Sequence, residues 1–219
     1  MTNICVIFDL DGTLVDSERL CNQAFLDLLP QLSDSVDSLT HRYRGNKLAF
    51  ILTDLENRLC QKLPDTFEQQ YRQRVAELFS RELKPMPGVL EMLKATNFSK
   101  CIASNGPPLK IRQALQVSGL APYFGGNIFS SYEVSSWKPD PGLFQYAANA
   151  MGFMPSQCVV VEDSEVGIQA AAAAGMKAFQ YMRNGDISLC RAGVPFDDIS
   201  QLHQLLTDFA SNVQPRSCS

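Results

Sequence analysis

The stretch ICVIFDLDGT, residues 4–13, places two aspartates one residue apart directly after an apolar run. The run over residues 4–8 predicts a buried strand. Side chains two apart on an extended chain point the same way, so we expect Asp9 and Asp11 to face one cleft while Leu10 points back toward the core. Two close carboxylates repel each other unless a cation lies beside them or one of them takes a proton. The stretch therefore predicts a charged site at the end of a buried strand.

The overall composition is that of an ordinary globular protein. The chain has 219 residues, of which 45% are hydrophobic and 19% charged, so it is long enough for one sizeable core or for a core with a smaller inserted domain. Its net charge of −4 argues against binding nucleic acid or an anionic membrane through bulk electrostatics.

Targeting and redox signals point to the cytoplasm. No apolar run approaches the ~18 residues of a membrane span, and the N-terminal apolar run leads straight into acidic residues, unlike a signal peptide. Seven scattered cysteines, an odd number with no C-x-x-C pair, fit buried thiols in a reducing compartment. We therefore expect a cytoplasmic protein with no membrane or nucleic-acid partner, and we expect a monomer.

The pattern of apolar residues divides the chain into two regions. From Ser17 to about Lys84 apolar residues recur at spacings of three and four, which predicts helices and no strand. From Pro85 onward short apolar runs alternate with helical stretches, which is typical of an α/β domain with a mostly parallel sheet. The strand candidates of this region are 100–104, 127–131, 158–162 and 177–181. The helix candidates are 88–97, 107–118, 140–151, 165–174 and 198–210.

The first strand, over residues 4–8, matches the second region in character although the helical region separates them. We therefore predict one α/β core made of residues 1–15 and 85–219, interrupted by an all-helical insertion of residues 16–84. Pro85 to Gly88 marks the return to the core, because proline and glycine punctuate helices.

Polar residues follow each strand candidate at the point where the strand ends. In open parallel sheets, sites form at the carboxyl ends of the strands, so these residues are expected to meet. Four acids at one sheet edge suit a hard divalent cation with oxygen ligands, most simply Mg²⁺. Besides Asp9 and Asp11, the residues are Ser104, Asn105, Gly106, Lys138, Glu162 and Asp163.

Each of these residues also has an ordinary structural reading. Asp11 with Gly12 could form a simple turn, Ser104 could cap the next helix, and Lys138 could lie on the surface. Their recurrence at successive strand ends is what favours a functional site.

Taken in order, these residues resemble the four motifs of the haloacid dehalogenase-like hydrolase superfamily. The motifs read DLDGT at 9–13, SNG at 104–106, KPDP at 138–141 and ED at 162–163. The likeness covers nearly all of the core and implies a Rossmann-like fold, and the helical insertion is similar to the α-helical cap domain of one subgroup. The segments SNGPPLK, WKPDPGLF and YRGNKL further resemble bacterial sugar-phosphate phosphatases of the 6-phosphogluconate phosphatase type.

The resemblance implies a role for each of the two aspartates. Asp9 would be the nucleophile that attacks phosphorus and forms an aspartyl-phosphate, which water then hydrolyses. Asp11 would protonate the leaving alkoxide and later deprotonate that water. A free aspartic acid has a pKa near ~3.9, so Asp11 is expected to need its neighbours or burial to hold a proton at neutral pH. Members of the superfamily that are haloalkanoate dehalogenases or phosphonatases lack this second aspartate, so Asp11 favours phosphate esters or a phosphomutase.

The resemblance also implies how the metal and the phosphoryl group are held. Mg²⁺ would lie between the Asp9 carboxylate, the Asp11 backbone carbonyl and Asp163, with Glu162 close by or bound through water. Lys138 would offset negative charge on Asp9 and on the phosphate. Phosphoryl oxygens would be held by Ser104, Asn105 and Gly106, with the backbone amides before the next helix.

One basic cluster in the helical insertion, residues 41–47, could bind the end of the substrate that is far from the phosphate. Gly45 allows a bend between helices, so Arg44 or Lys47 could point toward the cleft. The plain alternative is a solvated helix end, since basic residues favour helix C-termini. The functional reading fits a phosphorylated sugar acid, whose carboxylate pairs well with arginine.

The leading prediction is a Mg²⁺-dependent phosphatase of small phosphorylated metabolites, such as sugar phosphates or 6-phosphogluconate. A sugar phosphomutase of the β-phosphoglucomutase type is the enzymatic alternative, because it returns the phosphoryl group to the substrate with the same core. An alternative of another class is a non-catalytic phospho-acceptor or binding protein. The intact set of predicted site residues argues against that alternative.

Overall fold

The computed structural model describes residues 4–182 and 192–213, and residues 1–3, 183–191 and 214–219 of the predicted core lie outside them. Within these two ranges, six strands form one sheet in the order β3-β2-β1-β4-β5-β6, and each neighbouring pair is parallel. The strands are β1 Cys5–Phe8, β2 Ser99–Ser104, β3 Ile128–Ser130, β4 Cys158–Glu162, β5 Lys177–Tyr181 and β6 Val194–Phe196. The predicted α/β fold with a Rossmann-like parallel sheet is confirmed.

The position of β1 explains its uninterrupted apolar sequence. It lies between β2 and β4, where Phe8 is in register with Ile102 on one side and Val161 on the other. All four residues of β1 are buried, because helices cover both faces of the sheet. The next residue, Asp9, therefore emerges at the carboxyl edge beside the ends of its two neighbours.

The longer helices occur where the apolar periodicity predicts them, whereas two helices of four residues, Ala121–Phe124 and Ser131–Val134, were not predicted. In the insertion they are α1 Ser17–Leu28, α2 Val36–Tyr43, α3 Leu48–Leu59 and α4 Phe67–Glu82. In the core they are α5 Val89–Ala95, α6 Pro108–Val117, α7 Ala121–Phe124, α8 Ser131–Val134, α9 Gly142–Ala150, α10 Glu165–Ala173 and α11 Leu202–Asn212, with short 3-10 turns at Pro155–Gln157 and Ile199–Gln201. We call residues 17–82 the helical segment.

The chain leaves the core and returns to it through two crossings that lie side by side. The backbone N–H of Asp16 donates to the carbonyl of Lys84 over 3.2 Å, and that of Met86 donates to the carbonyl of Leu14 over 2.8 Å. An isolated bridge joins Val15 to Pro85 between these bonds. The helical segment is thus attached to the sheet by two hydrogen-bonded strands of chain.

Two strands also differ from the sequence expectation. The strand β3 ends at Ser130, and Ser131 begins α8 instead of ending the strand. The edge strand β6 was not predicted, because it has three residues and contains Pro195. A strand this short leaves no periodic signal, and proline is tolerated there since the edge requires no donated ladder bond.

Buried free thiols lie on one face of the sheet. Cys5, Cys101 and Cys158 are fully buried in one apolar cluster and form no disulfide. They therefore act as small core residues. None of the helices in the described ranges 4–182 and 192–213 has both the length and the apolar character to cross a membrane.

Candidate active site

The carboxyl ends of β1, β2 and β4 form the floor of a cleft of about 1040 Å³. The helical segment forms the opposite wall, through residues of α1, α3 and α4 and of the loop after α2. The structure brings all ten sequence-predicted site residues into the lining of this cleft. They are Asp9, Asp11, Arg44, Lys47, Ser104, Asn105, Gly106, Lys138, Glu162 and Asp163.

Lys138 joins two acids at the bottom of the cleft. Its Nζ lies 2.5 Å from Oδ1 of Asp9 and 2.8 Å from Oε1 of Glu162, and all three side chains are buried. Burial raises the pKa of Asp9 to about 8, with repulsion from Glu162 in the same direction, although Lys138 opposes the shift. The Lys138 pKa is raised because the attraction of the two acids outweighs its burial. The surface reading of Lys138 is therefore wrong.

Both carboxylate oxygens of Glu162 accept hydrogen bonds from other groups of the protein. Its Oε1 accepts from Lys138, and its Oε2 accepts from the backbone N–H and the hydroxyl of Ser164, over 2.6 and 2.8 Å. This bonding makes Glu162 a brace for Lys138 at the start of α10. Both oxygens of Glu162 are thus engaged by the protein, which fits the expected place of Glu162 close to the metal.

Asp163 has the opposite character. Its Oδ1 accepts from the Thr13 hydroxyl over 3.1 Å, but its buried Oδ2 has no hydrogen-bond partner. Burial raises the pKa of Asp163 well above its ordinary value, and repulsion from Glu18, Glu162 and Asp9 adds to the effect. A buried carboxylate oxygen without a partner is costly, so this position favours either a proton or a cation.

The geometry around Asp163 fits a hard cation. Gly12, with φ of +84°, passes so close that a Cβ there would lie 2.5 Å from Oδ2 of Asp163. Oxygen ligands from Asp9 and Asp163 suit Mg²⁺ by their chemistry. Across residues 4–182 and 192–213, no three His, Cys, Asp or Glu side chains are already arranged as a metal cluster. A site here would therefore use fewer side-chain acids and complete itself with other oxygens.

Asp11 is held by two donors that the sequence analysis did not identify. Its Oδ1 accepts from the Ser17 hydroxyl over 2.5 Å and from Nζ of Lys110 over 2.8 Å. Burial would raise the pKa of Asp11, but Lys110 and Ser17 outweigh it and the pKa is lowered. The expected help from neighbours in keeping Asp11 protonated is wrong for the free protein. A sequence signal existed for Lys110, because it lies in the first turn of the helix that follows Ser104.

The segment after β2 is braced by its own side chains. The buried Ser104 hydroxyl accepts from the Gly106 N–H over 3.0 Å, and Pro107 precedes α6, so Ser104 is not the helix cap. Oδ1 of Asn105 accepts from the Ser131 hydroxyl over 2.7 Å and from the backbone N–H of Lys138 over 3.1 Å. Asn105 thus fixes the chain that carries Lys138.

The two basic residues of the helical segment reach the cleft by different routes. Nε of Arg44 lies 3.6 Å from a Glu18 oxygen, so part of its charge is offset. Nζ of Lys47 lies 5.3 Å from the centre of the Trp137 ring, within range of a cation–π contact. Gly45, with φ of +73°, makes the turn between them.

Aromatic side chains that the sequence analysis missed form one side of the cleft. The rings of Tyr132 and Trp137 meet edge to face at 5.7 Å, and both line the cleft. Partial burial lowers the pKa of Arg72, but Glu68 and the Tyr132 hydroxyl outweigh it and raise that pKa. No spacing rule links Arg72 of α4 with Tyr132 of the core, which meet only through the packing of the helical segment against the core.

Comparisons with known proteins agree with this geometry. A family model described as haloacid dehalogenase-like hydrolase matches residues 5–175. A 6-phosphogluconate phosphatase of Escherichia coli is 36% identical over 180 residues, which are 80% of this chain and 81% of that protein.

Solved structures give the same result for the fold. A conserved haloacid dehalogenase-like protein of unknown function from Agrobacterium tumefaciens is 29% identical with a TM-score of 0.82, covering 94% of this chain and 98% of the other. A candidate beta-phosphoglucomutase of Thermotoga maritima is 25% identical with a TM-score of 0.76, covering 94% of this chain and 99% of the other. The resemblance carried by the four motifs is confirmed. The chain belongs to the haloacid dehalogenase-like hydrolase family.

Proposed function

We propose that this hydrolase is a Mg²⁺-dependent phosphatase of small phosphorylated metabolites, and of sugar phosphates in the first place. The observation that carries the proposal is the buried Asp9 at the end of the central strand, with Lys138, Ser104 and Asp11 around one cleft. A nucleophile, a cation, a hydroxyl and a second carboxylate are the groups that phosphoryl transfer through an enzyme ester requires. The similarity to 6-phosphogluconate phosphatase supports the same reaction.

Asp9 would act as the nucleophile. Lys138 holds its Oδ1, so Oδ2 is the oxygen we assign to attack on phosphorus. The Lys138 ammonium would also offset charge on the phosphoryl oxygens, with the Ser104 hydroxyl beside it. Catalysis in such a site comes mostly from positioning and charge stabilisation.

Asp11 would serve as general acid and then as general base, a role typically worth ~10²–10⁴ in rate. In the free protein Lys110 favours its carboxylate form. A dianionic phosphate bound beside Asp11 would raise the pKa of that carboxyl through repulsion. The proton needed by the leaving oxygen would thus be taken up when the substrate binds.

Mg²⁺ would be held by Asp9, by the backbone carbonyl of Asp11 and by Asp163, whose buried Oδ2 lacks a hydrogen-bond partner. When bound, it would supply positive charge that relieves repulsion between these acids and the phosphate. Members of this family generally use this ion.

We propose that residues 16–84 form a cap that closes over the cleft and recognises the leaving group of the substrate. The two side-by-side crossings at Asp16 and Met86 would act as its hinge. Arg44 and Lys47 would offer positive charge to the far end of the substrate, which suits a sugar-acid phosphate such as 6-phosphogluconate.

The deciding experiment is inorganic phosphate release from a panel of sugar phosphates, sugar-acid phosphates and nucleotides. It is run with Mg²⁺ and with a chelator, beside an Asp9→Asn variant. We expect metal-dependent release that vanishes in the variant, with sugar-acid phosphates ranked above neutral ones. Release that survives Asp9→Asn would contradict the assignment of the nucleophile.

The second candidate is a sugar phosphomutase, favoured by the likeness to the Thermotoga maritima structure. Such an enzyme would return the phosphoryl group from Asp9 to a second hydroxyl of the substrate. Formation of glucose 6-phosphate from β-glucose 1-phosphate, without free phosphate, would identify it. If neither product forms from any substrate, the non-catalytic alternative gains support.

A further inference from the structure

Lys110 ends the segment SNGPPLK and lies outside the four motifs of the core. It lies in the first turn of α6, and its Nζ is 2.8 Å from Oδ1 of Asp11. The ammonium also lies 5.8 Å from the centre of the buried Phe79 ring in α4. Lys110 and Asp11 are each 24% exposed, so both are largely held by the protein. Lys110 is therefore fixed between the core and the helical segment.

Ser17 and Lys110 bind the same oxygen of Asp11. The Ser17 hydroxyl donates to Oδ1 over 2.5 Å, from the first residue of α1. A carboxyl oxygen that accepts two hydrogen bonds has both of its lone pairs occupied, so Oδ1 has none left to hold a proton. A proton carried by Asp11 would consequently reside on the other oxygen, Oδ2.

The second oxygen, Oδ2, faces the predicted phosphoryl site. A Cβ added at Gly106 would lie 3.7 Å from Oδ2 of Asp11 and 3.3 Å from the Ser104 hydroxyl oxygen. Oδ2 and that hydroxyl thus border the same small space above Gly106, which has no side chain to fill it.

We propose that Lys110 is a positioning residue that, with Ser17, occupies Oδ1 of Asp11 and makes Oδ2 the oxygen that exchanges protons with the substrate. The inference rests on the proposed phosphatase function and adds the group that orients its acid. As a carboxylate oxygen of Asp9 bonds to phosphorus, the bond from phosphorus to the leaving oxygen breaks and its electron pair stays on that oxygen. The proton on Oδ2 moves to the leaving oxygen, which departs as an alcohol and leaves Asp11 as a carboxylate.

The choice of leaving group separates positioning of the acid from binding of the phosphate. An alkoxide needs a proton to depart, whereas p-nitrophenolate is a weak base and leaves without one. The value of kcat/KM covers the steps up to departure of the leaving group, so it reports this proton transfer. We would measure it for p-nitrophenyl phosphate and for the best alkyl phosphate ester of the panel.

Lys110→Met keeps the apolar stem and removes the donor. We expect its loss in kcat/KM to be about 10-fold or more greater for the alkyl ester than for p-nitrophenyl phosphate. Lys110→Arg restores a donor and should recover part of the alkyl-ester activity. The matched control is Lys94→Met, an exposed position of α5 that loses the same charge and should change neither substrate.

Equal losses on both esters would assign Lys110 to phosphate binding or to folding and would overturn the inference. Unchanged kcat/KM on both esters in Lys110→Met would overturn it as well. A wild-type protein that hydrolyses neither ester would overturn the proposed function and the inference with it. The failure of the proposed function is distinguishable from the failure of the inference alone, because only the former appears as missing activity in the wild-type protein.

Discussion

Asp163 is the buried acid whose surroundings are least complete. One of its oxygens accepts from Thr13, and the other, Oδ2, is buried without a hydrogen-bond partner. Asp9, by contrast, has Lys138 at 2.5 Å. The protein therefore compensates one acid with its own cation and leaves the other for a proton or a metal ion.

Competition between protons and Mg²⁺ should make the effect of the metal on stability depend on pH. The pKa of Asp9 is raised from 3.8 to about 8 in the folded protein, and that of Asp163 is also raised. Without metal, the folded state binds more protons than the unfolded chain between these values, so the free energy of unfolding falls as the pH rises through the range. Since Mg²⁺ needs ionised acids, the increase in Tm that it causes should be larger at about pH 8 than at about pH 6.

Thermal unfolding with Mg²⁺ and with a chelator at both pH values checks this prediction. Asp163→Asn is the matched variant, because the amide keeps the shape and removes the ionisable group. It should show a smaller Mg²⁺ effect and a flatter pH dependence in chelator. An increase in Tm that is the same at both pH values in the wild type would contradict the prediction.

At the scale of elements, the turn after β1 couples the first motif to the fourth. Gly12 has φ of +84°, and a Cβ there would lie 2.5 Å from Oδ2 of Asp163. Gly119 has a similar φ of +73° with nothing within 4 Å of an added Cβ. The two glycines thus share the backbone requirement and differ in what surrounds them.

Gly12→Ala and Gly119→Ala should separate these two effects. Each is expected to lose roughly 1–2 kcal/mol in free energy of unfolding, because an alanine is strained at positive φ. Only Gly12→Ala should also lose the stabilisation by Mg²⁺, since its methyl group displaces the Asp163 carboxylate. Urea unfolding with and without Mg²⁺ measures both. Retained Mg²⁺ stabilisation in Gly12→Ala would show that Asp163 is not the metal-binding side chain.

The sequence predicted the elements better than it predicted their contacts. The central strand β1 could be predicted because its burial on both faces makes every residue apolar. The residues after it therefore had to lie at the edge of the sheet. The edge strand β6 could not be predicted, because the three residues Val194–Phe196 are too few to show an alternation of apolar and polar residues. Asp9, Asp11 and Asp163 come just after strands and Ser104 ends β2, so local order along the chain was enough to bring them together. Lys138 lies beyond the short helix α8 that follows β3, so its place in the site also depends on how that segment packs.

Contacts between distant elements could not be read in this way. Lys110 meets Asp11 across 99 positions of sequence, and its direction depends on how α6 leaves β2. Arg72 of α4 lies beside Tyr132 of the core, 60 positions further along the chain. Such contacts depend on tertiary packing, which leaves no period or spacing in the sequence.

At the scale of the whole molecule, contacts of different strength join the helical segment to the core. At the crossings, the backbone N–H groups of Asp16 and Met86 donate hydrogen bonds. Across the cleft, Lys47 lies 5.3 Å from the Trp137 ring. At the crossings the polypeptide chain itself links the helical segment to the core. A cation–π contact at a partly exposed site, by contrast, contributes only ~0.5–1 kcal/mol. Opening of the cleft should therefore begin on the Lys47 side.

Trp137 is the single tryptophan of the chain, so its fluorescence reports this contact directly. In Lys47→Met the helical segment should separate from the core more often, since the loss of ~0.5–1 kcal/mol changes an opening equilibrium by about two- to fivefold. We expect stronger quenching of Trp137 by acrylamide in this variant and a higher KM for sugar phosphates. Lys62→Met is the control, because Lys62 lies in the loop after α3, is highly exposed and pairs with Glu56 away from the cleft. If quenching is the same in Lys47→Met, Lys62→Met and the wild type, the Lys47 contact does not hold the cleft closed.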